Sequence, residues 1–261
     1  APTMSKSVRP AWGGGLHEAL QLPQAKAPVM RVLGDGTTIY GSLIYSDAWL
    51  GGGAAYGLYT FPASATPTAK LVEDFGSYEA NGGGAYHDGK YYFNSYVYTD
   101  EMGYTFSTFF TYDLATGQST KVTNSFMTSG FDQTQITHDM TVDPTTGTIY
   151  AISYIKVTID PEGMLERYRP AISVIDPTMG WCTPVAETPG FIAIAANRAG
   201  ELYGVTKGAE STLYRINKNT GDCTPVGRTG LNPEFVQSAA FDPVTDKLYW
   251  AETEINGTSG L

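Results

Sequence analysis

His138 and Asp139 stand side by side in ITHDMTVD, and in a cleft such a pair would make half of a general base. Neighbours on a strand point to opposite faces, so the two are badly placed to share a proton, and His138 reads as a hydrogen-bonded structural residue. Asp132 and Glu252 offer a second chemistry, because paired carboxylates at the mouth of a channel would serve a hydrolase or lyase. His17, His87 and His138 fall in three unrelated contexts without metal-ligand spacing. Asp-rich turns such as DPTTG lack the alternating oxygen ligands of a calcium loop. NGGGAYHDG and WLGGGAAYG are rich in glycine but lack the lysine and the strand–loop–helix context of a phosphate cradle. There is no nucleophile elbow, dinucleotide fingerprint or zinc motif, so no catalytic residue, metal or cofactor is assigned.

Binding chemistry is better represented. Trp49, Tyr78, Tyr98, Tyr104 and Tyr168 accompany Asp132, His138, Arg169 and Glu252 in or beside the longer loops. Flat aromatics with scattered carboxylates and amides suit stacking on a sugar ring or gripping an extended peptide. Aromatics also fill space between packed sheets, and only those in loop insertions escape that reading.

The elements that must carry these residues are announced by the two cysteines. Cys182 and Cys223 lie in GWCTPVAETPG and GDCTPVGRTG, which share CTPV. Upstream of each runs the same phrase of strand, connection, strand, tight turn and strand, as in GELYGVTKGAESTLYRINKNTGDCTPVG. The phrase recurs around Tyr40, Tyr92, Tyr150, Tyr203 and Tyr249, which are separated by 52, 58, 53 and 46 positions. Turns such as DPTTG, DLATG, DPTMG, KNTGD and DPVTD combine side-chain acceptors, a fixed proline φ and glycines free to take positive φ.

Four antiparallel strands, a to d, at a period near 50 are the signature of an all-β propeller. Four units and a partial fifth are expected, near 31–76, 77–130, 131–189, 190–230 and 231–261, after a poorly structured or strand-donating extension over 1–30. In TIYAISYI the alternation puts Ile149, Ala151 and Ser153 on one face and Tyr150, Ile152 and Tyr154 on the other, and each face must be covered by a neighbouring blade. Two β-sandwiches would also suit short strands with turn signals. They do not explain the repeated order of long and short connections. The fifth unit reaches INGTSGL where its third strand should begin, which is read as truncation of a longer chain. The Cys182 and Cys223 positions start equivalent outer strands, beyond disulfide reach, so both thiols are expected to be free.

The a–b and c–d turns are short, whereas the b–c and d–a connections carry the insertions. The expected functional face is therefore the b–c/d–a side, around the channel mouth. A net charge of −10 on 261 residues argues against nucleic acid, which needs a basic stripe. No run is apolar enough for membrane insertion. The opening APTMSKSVRPAWGGG lacks an initiator Met and reads as a mature form with a targeting segment removed.

The phrases VDPTTGTIYAI, FDPVTDKLYWA and LYRINKNTGDCTPVG resemble blades of WD40-like and quinoprotein-like propellers, in particular uncharacterised secreted surface proteins of Bacteroidetes-type bacteria. The resemblance runs from about Gly34 onward. It implies an extracellular or cell-envelope location and further modules in a longer chain, and it carries over no catalytic residue. The leading expectation is a non-catalytic binding propeller for a glycan, peptide or protein partner. A carboxylate-based hydrolase or lyase and a structural spacer are the alternatives.

Overall fold

The computed structural model describes residues 37–42, 55–63, 68–76, 78, 80, 82–99, 104–127, 133–158, 166–234, 237–253 and 259–260. The candidates Trp49 and Asp132, and the extension over 1–30, lie outside them. The described residues form five antiparallel sheets that follow one another in sequence. The first holds β1 (Thr38–Ser42), β2 (Gly57–Pro62) and β3 (Lys70–Asp74). The second holds β4 (Gly84–His87), β5 (Lys90–Thr99), β6 (Tyr104–Asp113) and β7 (Gln118–Met127). In the third are β8 (Met140–Val142), β9 (Ile149–Thr158), β10 (Glu166–Ile175) and β11 (Cys182–Glu187). The fourth comprises β12 (Phe191–Ala196), β13 (Leu202–Thr206), β14 (Thr212–Ile216) and β15 (Cys223–Arg228). β16 (Ser238–Phe241), β17 (Leu248–Thr253) and β18 (Ser259–Gly260) make the fifth, whose third strand begins where the repeat required it.

This is a β-propeller. The recurring tyrosines occupy the b strand of every unit: Tyr40 in β1, Tyr92 in β5, Tyr150 in β9, Tyr203 in β13 and Tyr249 in β17. The a strands pack on one another in series, β4 against β8, β8 against β12 and β12 against β16, as strands around a common axis must. Thr37, just ahead of β1, donates to Asp242 in the fifth unit at 3.4 Å, so the first and fifth units are neighbours.

Four apolar clusters fill the four junctions along the chain. On the third sheet, Ile149 and Ala151 meet Phe109 and Tyr92 of the second unit, while Tyr150 and Ile152 meet Phe191 and Ile194 of the fourth. The period of two in TIYAISYI is thus read out as two different neighbours. Leu58, Phe93 and Phe110 fill the first junction, and Ala193, Val205 and Ala239 the last. Each fully buried Leu, Ile or Phe contributes about 1.5–3 kcal/mol, which is why sheets with two apolar faces stack instead of standing alone.

The short turns repeat one device. Oδ1 of Asp113, Asp143, Asp176 and Asp242 accepts the backbone N–H two residues on, and Asn197 and Asn217 do the same. These aspartates are turn formers. The CTPV segments also repeat a device. In β11 and β15 the register slips by one residue, leaving Val185 and Val226 as bulges next to Pro184 and Pro225. Cys182 and Cys223 are free and buried, in two separate clusters.

Candidate functional site

Among the described residues, the b and c strands of the second and third units are far longer than those of the other units. β5, β6, β9 and β10 have ten residues each, whereas β13 and β14 have five. Five extra residues lift each hairpin by about 16 Å above the disk, on the b–c/d–a side. Tyr98 and Tyr104 belong to the raised part of the second unit, where Tyr98 pairs with Thr105 and Tyr104 with Thr99. In the third unit Tyr168 pairs with Lys156 and Arg169 with Ile155. Tyr168 is half-buried, and Lys156, Arg167 and Arg169 are exposed. One guanidinium nitrogen of Arg169 reaches both carboxylate oxygens of Glu187, at 3.2 and 3.1 Å, which holds the arginine against the hairpin.

At the foot of this hairpin the His138 imidazole Nε2 lies 3.0 Å from the Tyr154 hydroxyl, with the rings edge to face. Burial pushes the His138 pKa down and the Tyr154 pKa up, so the pair is uncharged near neutrality. Asp139 is turned away from His138, as strand alternation requires. Its Oδ2 accepts the Ile194 N–H and its Oδ1 the Ser238 hydroxyl, both at 2.9 Å. The carboxyl is fully buried, and burial pushes its pKa well above the usual range.

Strand register identifies the residues equivalent to Asp139 as Gly83, Ala193 and Ser238. Three small residues leave room in the channel for one carboxylate. A Cβ on Gly83 would fall 2.4 Å from the Asp139 Cα, so the second unit also closes directly on it. Asp139 was missed as a channel residue because adjacency to His138 suggested only a pairing between the two. The signal was present in the aligned repeat, as a charged residue in a row of small ones. Beside it, Asn94 donates to Thr137 at 3.2 Å and Thr137 to the Gly82 carbonyl at 2.6 Å, joining the second and third units.

The remaining candidates are dispersed. Glu252 is buried in β17 of the fifth unit. Its proposed partner Asp132 falls on residues that are not described. Tyr78 sits on the flank, edge to face on Phe110 at 4.8 Å, with the Lys121 ammonium 4.9 Å from its ring centre. Near it a cleft of about 70 Å³ opens between the first two units, lined by Glu73, Asp74, Phe75, Phe110, Tyr112 and Lys121 among others. That volume suits one side chain, well below the roughly 300 Å³ of an ordinary small-molecule site. Among the described residues, no cluster of three or more His, Cys, Asp and Glu could hold a metal ion. Among the described residues no helix is long and apolar enough to cross a membrane.

No family model matches this sequence, and no curated protein does. Among solved structures it is similar to a bifunctional GH43-CE protein of Bacteroides eggerthii, at 14% identity over 88% of this chain and 32% of that one, TM-score 0.41. It is also similar to a gluconolactonase of Xanthomonas campestris, at 12% identity over 88% and 77% of the two chains, TM-score 0.37. A structural-genomics protein of unknown function from Bacteroides thetaiotaomicron matches at 11% identity over 79% and 56%, TM-score 0.34. At scores this low, what the chain does has to be argued from its own residues.

Proposed function

We propose that this chain is a non-catalytic binding module, exported to the cell surface, which receives a glycan, peptide or protein partner on the b–c/d–a face of its propeller. The observation that carries this reading is the asymmetric rim. Two adjacent blades raise ten-residue hairpin strands on that side, while the fourth blade keeps to five residues. Packing of the disk needs only the lower half of those strands, where β9 meets β8. The upper half spends backbone order on something other than the core.

The buried polar groups of the channel support the same reading. Asp139 has both oxygens engaged, and Thr137 bridges two units, so these groups hold blades together. The hairpin of the third unit carries Lys156, Arg167 and Arg169 together with Asp160, Glu162 and Glu166, so its charges balance and neutral as well as acidic glycans belong among the ligands tried.

A panel of immobilised neutral and acidic polysaccharides and extended peptides, probed with the intact protein, tests the proposal. One ligand class should bind, and a Tyr168→Ala/Arg169→Ala variant with unchanged melting should bind at least tenfold more weakly. Turnover of a glycoside or ester by the wild type that is abolished in Glu252→Gln would replace this reading with catalysis. Silence across the panel would favour a structural spacer.

A further inference from the structure

We propose that β7, the outer strand of the second blade, receives an extended peptide as a fifth strand, with one apolar side chain of that peptide entering the cleft between the first two blades. Every blade of a propeller ends in an edge strand, and three of the described edges are guarded. β11 and β15 each carry a proline and a bulge, with Val185 and Val226 out of register. β3 bulges in the same way at Val72. Bulges and prolines spoil an edge as a template for pairing.

β7 has neither. All ten of its residues pair with β6 in unbroken register, and the corresponding valine, Val122, sits opposite Phe109. The position that holds Pro184 and Pro225 in the sister strands holds Lys121, opposite Phe110. Lysine can itself blunt an edge. Here its ammonium folds back over the Tyr78 and Phe110 rings, 4.9 and 5.3 Å from their centres, and so leans away from the free side. Among the described residues nothing pairs with the outer side of β7, and residues 118–121 and Thr123 are exposed. The edge is regular for about 33 Å.

The second observation is the cleft. Ser119 and Lys121 lie two apart on β7, on the face turned to the first unit, and both line the cavity of about 70 Å³ with Phe110, Tyr112 and Glu73. Strand addition works in this way, with main-chain hydrogen bonds giving affinity and a pocket for an alternate side chain giving selectivity. The volume fits a leucine-sized group.

A peptide is favoured over a second copy of this chain on area. Two β7 edges paired along their length would give a footprint of roughly 330 Å² on each partner, well short of the roughly 1,200 Å² total of a stable globular pair. A peptide can also wrap its side chains over both faces of the edge.

The probe is a fluorescein-labelled ten-residue peptide of alternating Thr and Val, with a central Leu and Lys at both ends. Anisotropy should show saturable binding by the intact protein, and hydrogen exchange should slow at residues 119–127. N-methylation of alternate peptide residues should weaken binding at least tenfold. Lys121→Pro, which installs the residue that β11 and β15 tolerate, should do the same with melting unchanged. Protection confined to the raised hairpins, or binding indifferent to N-methylation, would overturn the proposal. So would self-association through β7, seen as a dimer that Lys121→Pro dissolves. If Lys121→Pro fails to fold, the N-methylated peptide decides. The site lies on the flank, so its failure leaves the reading of the b–c/d–a face standing.

Discussion

The Ser238 hydroxyl donates to Oδ1 of Asp139 at 2.9 Å, joining residues 99 positions apart in sequence and two blades apart in the ring. The other oxygen takes the Ile194 N–H of the blade between them. One buried side chain therefore ties three consecutive blades together at the axis.

Asp139→Ala should be among the most damaging single changes in the channel. It strands the buried Ile194 N–H, at about 1–3 kcal/mol, and the half-buried Ser238 hydroxyl, at less because water can partly satisfy it. Urea unfolding should show a loss of about 2–5 kcal/mol. Asp139→Asn keeps an acceptor and should lose less than half as much. Equal stability of the alanine variant and the wild type would remove Asp139 from this role.

Two buried carboxyls should answer pH in opposite senses. Burial holds Asp139 well above its ordinary value of 3.8, so its folded pKa exceeds its unfolded one. Its contribution is complete below 3.8 and is lost as pH rises through the folded value. Asp143 is fully buried too, and burial alone would raise it, but hydrogen bonds from Lys218 and Thr145 bring it down to about 2. Its contribution is present above 3.8 and is lost as pH falls through about 2. Lys218→Met should lower stability at neutral pH by about 2 kcal/mol and move the acid loss to higher pH. Asp139→Asn should instead flatten the decline on the other side. Urea midpoints of the three proteins across the acid range separate these effects, and superimposable curves would deny both.

Two glycines of the second blade share positive φ and should differ sharply as alanines. Gly83 has φ 84°, and a Cβ there would meet the Asp139 Cα at 2.4 Å, closer than backbone atoms can yield. Gly89 has φ 74° in the β4–β5 turn and has open space around it. Gly89→Ala should cost about 1 kcal/mol from the backbone alone. Gly83→Ala should cost more than about 4 kcal/mol or prevent folding. Similar melting of the two variants would contradict the close approach at the axis.

Local rules made the blades legible. The tyrosine of each b strand and the two faces of TIYAISYI follow from a period of two and from turn chemistry, which act within a few residues. Asp139 could not be read in that way, because alternation says which face a residue takes and nothing about which distant blade meets it. Aligning Gly83, Asp139, Ala193 and Ser238 would have exposed the odd member of the row. β7 presents a similar case. Its lysine in place of proline was visible, but its unbroken register is a property of pairing with β6. That Tyr98 and Tyr104 lie on the b–c hairpin of the second unit was legible from connection length, since insertions accumulate where the core does not constrain them.

The two cysteines that revealed the repeat give the last prediction. Cys182 and Cys223 are 4% and 6% exposed and sit in different apolar clusters. Burial pushes the Cys182 thiol up to about 11 and the Cys223 thiol up to about 12. Near neutrality almost no thiolate is present, and the thiolate is the nucleophile. The native protein should therefore react with an aromatic disulfide reagent orders of magnitude more slowly than a free thiol. In urea, without reductant, both should react at once, giving two equivalents. Reaction should track unfolding, so that Asp139→Ala, which loosens three blades, accelerates it. Zero equivalents in urea would reveal a disulfide and displace the two outer strands from equivalent places in their blades.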